Sequence, residues 1–325
     1  MKDDALLGFL VALVVAAILT PLFARLARRI GAVDAIKERG LARDATPLLG
    51  GLAIFAGVLV AALLFLPLTD ATKGILGGAA LITAVGALDD WRELGPATKL
   101  AGQVAAAMVL VLSGVSVDVV TLPFLGRVEF GTTGEVLTLL GLVGVMNVVN
   151  FSDGIDGLAA GTGMIALITF TAINIFTFIR LGQRDLPRDD FLDMAILGGA
   201  LIGAVIGFLW YNAFPAEVIM GDTGSMAIGG ALAAFAIMTN TELLLLLIGG
   251  IFLIEALSVI LQVVSFKYWG RRIFLMAPIH HHFEMKAWSE TKIMVRFWIL
   301  SAILCAAAFA VYYEYFFGFR DLPTP

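Results

Sequence analysis

The chain is built of one apolar stretch of about 20 residues after another, and that repetition restricts its fold more than any single motif. A helix needs roughly 20 mostly apolar residues to cross the hydrocarbon core of a bilayer. Ten segments meet or approach that length: 5–26, 49–68, 73–89, 98–115, 135–150, 160–180, 192–212, 223–239, 243–265 and 293–316. Inside lipid every backbone N–H and C=O must be satisfied within the protein, so spanning segments are helices or closed barrels. Continuous apolar runs of this length belong to helices. Hydrophobic residues make up 60% of the chain and charged ones 14%, against about 45–50% and 25% in soluble domains. The bilayer must therefore act as solvent, and the expected fold is an all-α polytopic membrane protein, one integral domain over 1–325. The start, Lys2-Asp3-Asp4 before a long apolar run, reads as a retained spanning helix rather than a signal peptide. Gly77-Gly78, Gly198-Gly199 and Gly229-Gly230 suit close helix–helix approach.

Ten spans place both termini on one side. Of the 21 Lys and Arg residues, fourteen border the loops 27–48, 89–98, 151–159, 213–222 and 266–292. The other seven, among them Arg184 and Arg320, border the termini and the loops 69–72, 116–134, 181–191 and 240–242. The excess of basic residues assigns the first set to the cytoplasm and leaves both termini outside. The loop 116–134, with Val117, Val119, Thr121, Val128 and Phe130 around Pro123 and Gly126, predicts a small outer-face β-hairpin. A net charge of −5 excludes nucleic-acid binding by charge. The single cysteine, Cys305, makes neither an internal disulfide nor a cysteine metal cluster.

The unusual polar residues all gather on the basic side. Asp89 and Asp90 end an apolar helix, where a carboxylate is expensive without a partner or a function. Asn147, Asn150, Asp153 and Asp156 follow at the end of another; 147, 150 and 153 share a face if the helix continues. Asn212 opens a segment leading to Asp222, which begins a helix whose first-turn N–H groups are expected to be free for an anion. His280, His281 and His282 are the only histidines. Adjacent histidines do not have zinc-ligand spacing, and contact with phosphate is the better reading. Carboxylates without cysteine suit a hard cation such as Mg²⁺ alongside substrate phosphates. Lys99, Arg271, Arg272 and Lys292 add positive charge. Glu255, inside the ninth span, is read as helix-packing polarity.

These segments resemble the polyprenyl-phosphate sugar-1-phosphate transferases. The aspartate pair, Asn150-Phe-Ser-Asp153-Gly-Ile-Asp156-Gly-Leu-Ala and Gly221-Asp222 carry the superfamily likeness, over about residues 20–310. Met276-Ala-Pro-Ile-His280-His281-His282-Phe283-Glu284 and Trp210-Tyr-Asn212-Ala-Phe-Pro-Ala-Glu217 are similar to the muramoyl-pentapeptide branch. The resemblance implies UDP-MurNAc-pentapeptide and undecaprenyl phosphate as substrates, lipid I and UMP as products, Mg²⁺ as cofactor, and steps in peptidoglycan synthesis at a bacterial inner membrane. It implies that Asp222 binds the metal and that Asp89 acts on the lipid phosphate, as base or orienting group. Asp90, Asn150, Asp153, Asp156, His281 and His282 are implied to complete the pocket, Lys99 to lie near the nucleotide, and Asn212 and Gln262 to line it; Asn147 and His280 join them from the clusters themselves. A homodimer is implied, with no interface legible. Two other activities fit parts of the chain. Transfer of N-acetylglucosamine-1-phosphate shares the superfamily motifs, and the segment from Val33-Asp34 to Gly51 is similar to that branch. A secondary transporter would place its ionisable groups near mid-membrane, whereas here they sit at one face, with Glu255 the main exception.

Overall fold

The computed structural model describes residues 2–34, 45–122, 126–183 and 186–318. Lys37, Arg39, Arg43, Pro123, Arg184 and Arg320 lie outside the described residues. The elements are α1 (Lys2–Ile30), β1 (Val33–Asp34), β2 (Thr46–Pro47), α2 (Gly50–Phe65), α3 (Asp70–Arg92), α4 (Pro96–Leu112), β3 (Val119–Leu122) and β4 (Gly126–Glu129). They continue with α5 (Thr132–Phe151), α6 (Leu158–Gly182), α7 (Asp189–Asn212), α8 (Gly221–Met238), α9 (Glu242–Ile248), α10 (Gly250–Trp269), α11 (Ile279–Met285) and α12 (Glu290–Gly318). Among the described residues, eight helices are long and apolar enough to cross a membrane, while α2 and α4 are shorter apolar helices. The chain is a multi-pass helical membrane protein, as its apolar runs predict.

Side-chain size sorts the faces of α1. Leu6, Leu10, Val14, Ile18, Leu22, Leu26 and Ile30 form an exposed ridge at four-residue spacing, whereas Ala12, Ala16, Ala24 and Ala27 are buried toward α2 and α7, its main packing partners. In lipid, exposing a leucine costs little, and small residues let backbones approach. The glycine pairs act in the same way. A Cβ on Gly198 would sit 2.2 Å from Thr171 Oγ1, one on Gly229 2.7 Å from Met146 Cα, and one on Gly78 2.0 Å from Leu110. The innermost helix, α8, packs against α3 and α5, and its N-terminus becomes the floor of the site.

Two features depart from the sequence reading. The ninth span is not one helix: α9 and α10 are separated at Gly249. Two consecutive glycines with low helix propensity sit at the break. A second two-residue ladder, β1–β2, pairs Val33 with Pro47 and Asp34 with Thr46. It was not signalled, because so short a pairing has no periodicity. Its continuation matters: Ile219 N–H donates to Pro47 O, and Gly50 and Gly51 N–H donate to Ile219 O and Met220 O. The antiparallel hairpin β3–β4, with Val119 facing Glu129, joins the end of α4 to the start of α5, at the opposite end of the bundle from the polar clusters.

Candidate active site

Two helix ends and two helix starts meet around Asp222. α3 brings Asp89 and Asp90 in its last turn, α4 brings Lys99 in its first, α5 brings Asn150 near its end, and α8 begins at Gly221. Lys99 bridges two carboxylates: its Nζ lies 3.1 Å from Asp89 Oδ2 and is paired with Asp222 Oδ2. Asn150 Nδ2 donates to Asp222 Oδ1 at 2.5 Å and to Ser225 Oγ at 2.9 Å, while its Oδ1 accepts from Lys99 at 3.5 Å. Asp222 thus has an amide on one oxygen and an ammonium on the other. The side chains of Asp89, Lys99 and Asp222 keep only 14%, 20% and 22% of their exposure. They are screened by protein yet reachable from one side.

Asp90 faces away from this trio. Its Oδ1 accepts from Asp222 N–H at 2.9 Å, and its Oδ2 from Thr223 N–H at 3.1 Å and Thr223 Oγ1 at 2.5 Å. Two first-turn N–H groups of α8, expected to be free for an anion, are therefore taken. The carboxylate satisfies the donors that a helix start leaves open and complements the positive end of its dipole. Gly221 makes this possible, because its φ is +71° and an added Cβ would sit 2.3 Å from Asp90 Oδ2. Asp90 anchors Asp222 from behind.

One turn deeper the pattern repeats. Gln103 Nε2 donates to Asn147 Oδ1 at 3.2 Å and Asn147 Nδ2 returns a bond to Gln103 Oε1 at 2.8 Å. Gln103 was missed as a site residue, although its spacing of four from Lys99 matches the spacing of three between Asn147 and Asn150 on the facing helix. Ser225, Thr223 and Leu94 were missed as well; nothing in their spacing singles them out. α5 ends at Phe151, so Asp153 does not share the face of Asn147 and Asn150.

The remaining predicted residues hold the surrounding loops. Asp156 Oδ2 accepts from Ala216 N–H at 2.8 Å. Asn212, 3% exposed, accepts from Gly157 N–H at 3.1 Å and donates to Val218 O at 3.0 Å. Both tie the 152–157 loop to the segment that leads into Asp222. Gln262 clasps the turn after α10, accepting from Ile273 and Phe274 N–H and donating to Phe274 O, each at 3.0 Å. His282 Nδ1 accepts from Leu275 N–H at 3.1 Å, and His281 pairs with Glu284. A Cβ on Gly154, next to Asp153, would lie 2.5 Å from His280 Nε2 and 3.5 Å from His281 Nε2, so the histidine helix closes over this loop. Glu255 is not isolated helix-packing polarity: its Oε2 lies 3.1 Å from His280 Nδ1, both side chains fully buried. Arg271 and Arg272 are exposed, and Lys292 lies over the Trp288 ring.

A bundle of spanning helices whose ends converge on carboxylates and an ammonium, with a histidine helix over the loop that follows Asn150, has the fold and the groups of a membrane-embedded transferase acting on phosphate. Residues 72–240 match the model of glycosyl transferase family 4. A phospho-N-acetylmuramoyl-pentapeptide-transferase of Rubrobacter xylanophilus is 41% identical, the match covering 86% of this chain and 87% of that protein. The proteins of the same name from Halalkalibacterium halodurans and Saccharopolyspora erythraea are 40% and 38% identical, over 95% of this chain and 97% and 96% of theirs. The chain belongs to the phospho-N-acetylmuramoyl-pentapeptide-transferase family.

Proposed function

We propose that this protein transfers phospho-MurNAc-pentapeptide from UDP-MurNAc-pentapeptide to undecaprenyl phosphate, giving lipid I and UMP. The observation that carries the reading is 38–41% identity to transferases of that name over 86–95% of the chain, with the Asp89–Lys99–Asp222–Asn150 group gathered at one end of the bundle. The same relatives favour it over transfer of N-acetylglucosamine-1-phosphate. We place the site on the cytoplasmic face of a bacterial inner membrane and both termini outside, on the distribution of basic residues.

In the proposed reaction an oxygen of the lipid phosphate attacks the β-phosphorus of the nucleotide. A new P–O bond forms, the bond from that phosphorus to the bridging oxygen breaks, and the electron pair leaves with UMP. A phosphate monoester is already largely dianionic near neutral pH, its second pKa being about 6, so little proton removal is required. Both oxygens of Asp89 are engaged, Oδ1 by Leu94 N–H at 2.6 Å and Oδ2 by Lys99 at 3.1 Å. That engagement supports an orienting role for Asp89 and a one-step route over a covalent one through its carboxylate. Lys99 supplies fixed positive charge beside the nucleotide phosphates, and His281 and His282 contact phosphate from the loop above.

Mg²⁺ fits the donor set. No group of three or more His, Cys, Asp or Glu gathers as a metal cage among the described residues. Mg²⁺ is commonly held by one or two carboxylates plus substrate phosphates and water, so no cage is needed. Asp222 would hold it, with Asp89 beside it. When bound, the ion neutralises charge on the diphosphate as it builds up.

The test is UMP release by the purified protein in nanodiscs containing undecaprenyl phosphate, with UDP-MurNAc-pentapeptide and UDP-N-acetylglucosamine in parallel. Release with the muramoyl substrate alone is expected. Release only with UDP-N-acetylglucosamine would overturn the assignment.

A further inference from the structure

The Glu255–His280 pair is the least explained polar feature of the molecule. Both side chains are 0% exposed. Glu255 Oε2 lies 3.1 Å from His280 Nδ1, off the line of a good hydrogen bond, and no other partner satisfies either side chain among the described residues. A buried charged pair costs several kcal/mol of desolvation per ion and seldom stabilises a fold better than apolar side chains of equal volume. Apolar contacts already seat α11: Ile279, Phe283 and Trp288 pack against Ile155, Leu158, Ile251, Ile293 and Phe297. Stability alone does not account for the pair.

What the pair does have is a position between α10 and the site. His280 Nε2 points at Gly154, where even a methyl group would come within 2.5 Å. The His280 ring lies against His281, centroids 4.2 Å apart. From the active-site assignment above, we infer that Glu255 is a positioning residue. It accepts the Nδ1 proton of His280, fixing that ring's tautomer and angle, and thereby sets the distance between the phosphate-facing His281 and the Asp153–Asp156 loop. A carboxylate can only accept, so the proton lies on the Nδ1 side of the imidazole and Nε2 is the nitrogen turned to the loop.

Two substitutions separate positioning from packing. Glu255→Gln keeps an acceptor oxygen in nearly the same volume, and Glu255→Leu keeps volume without it. If Glu255 only fills space, the leucine variant is as active as wild type and at least as stable. Under positioning, Glu255→Gln retains most of the turnover. Glu255→Leu loses roughly 10–100-fold in kcat, the usual loss when an orienting partner is removed, and its thermal midpoint falls because the buried His280 Nδ1 proton is left without an acceptor. Equal activity in the leucine variant overturns the inference. A measurement independent of turnover, and of whether Glu255→Leu folds, is ¹⁵N-histidine NMR of the intact protein. With three histidines, the His280 signals are assigned by their loss in His280→Gln. Nδ1 of His280 is expected to be protonated; a bare Nδ1 with protonated Nε2 overturns the inference. An inactive wild type would refute the proposed function, while the NMR result would still decide the pairing.

Discussion

Asp90 and Asp222 are both aspartates at helix ends, yet their surroundings assign them different work, and conversion of each to asparagine separates the two. In Asp90→Asn the retained oxygen can still accept from Asp222 N–H. The new amide group replaces the oxygen that accepts from Thr223 N–H at 3.1 Å and Thr223 Oγ1 at 2.5 Å. The Thr223 hydroxyl can turn and accept from the amide, but Thr223 N–H is left facing another donor. An unsatisfied buried donor costs about 1–3 kcal/mol, and loss of the negative charge at the start of α8 adds roughly 0.3–1 kcal/mol. The sum, about 1.3–4 kcal/mol, corresponds to a fall in Tm of roughly 3–8 °C, at roughly 2 °C per kcal/mol. Asp222→Asn keeps one acceptor oxygen for the Lys99 and Asn150 donors and leaves the α8 N–H groups bonded to Asp90. It is expected to abolish turnover with a smaller fall in Tm than Asp90→Asn. Thermal unfolding in detergent, read alongside UMP release, measures both. An unchanged Tm in Asp90→Asn would refute the anchoring argument. Retained activity of Asp222→Asn at ordinary Mg²⁺ would refute its metal role.

Gly221→Ala should lower both stability and activity, since it strains a φ of +71° and drives a methyl group into the Asp90 carboxylate 2.3 Å away. The strain alone is worth about 1–3 kcal/mol, and a normal melting curve with normal turnover would count against it. His281→Ala is expected to lose at least tenfold in kcat with its fold intact; unchanged kinetics would remove the histidine helix from the reaction. Chelation of divalent cations should stop UMP release and added Mg²⁺ restore it, without unfolding the protein, because no cage of three or more His, Cys, Asp or Glu gathers among the described residues. Full activity in excess chelator would exclude the metal.

Eight of the ten expected spans recur among the described residues as helices long enough to cross a membrane, α2 and α4 being shorter; these helices and the gathering of polar side chains at one end of the bundle were legible because both are written in local sequence: apolar length for the first, helix-end position for the second. Lys99 and Asp222 lie 123 positions apart, yet each could be placed from the helix end it occupies. The break at Gly249 was not legible, since a hydropathy window averages across two glycines flanked by leucines and isoleucines. Nor was the partition of labour within the clusters. Asp89 and Asp90 are adjacent in sequence, but successive helix positions point about 100° apart, so one meets Lys99 and the other meets α8. Asn150 and Asn212 are the same side chain, one holding Asp222 and the other holding a loop. Only the packing of α3, α4 and α5 around α8 decides which is which.

That packing also explains why the reactive groups occupy helix ends rather than mid-membrane. Within the hydrocarbon region backbone polar groups are spent on helical bonds, and a polar side chain must find its partner on another helix. Gln103 and Asn147 do so fully, each satisfying the other, and have little left for a ligand. One turn outward, Lys99 and Asn150 have a third group between them, Asp222, and one open side. The α8 N-terminus is held there by Asp90 from behind and by the Gly50 and Gly51 N–H groups bonding to residues 219 and 220. A carboxylate fixed from three directions can face a highly charged diphosphate without the chain having to rearrange, and such preorganised charge contributes more at a screened site than in open water. The step from Asn147 to Asn150 is thus the step from an amide pair that satisfies itself to an amide that holds Asp222, the group that meets substrate in the proposed reaction.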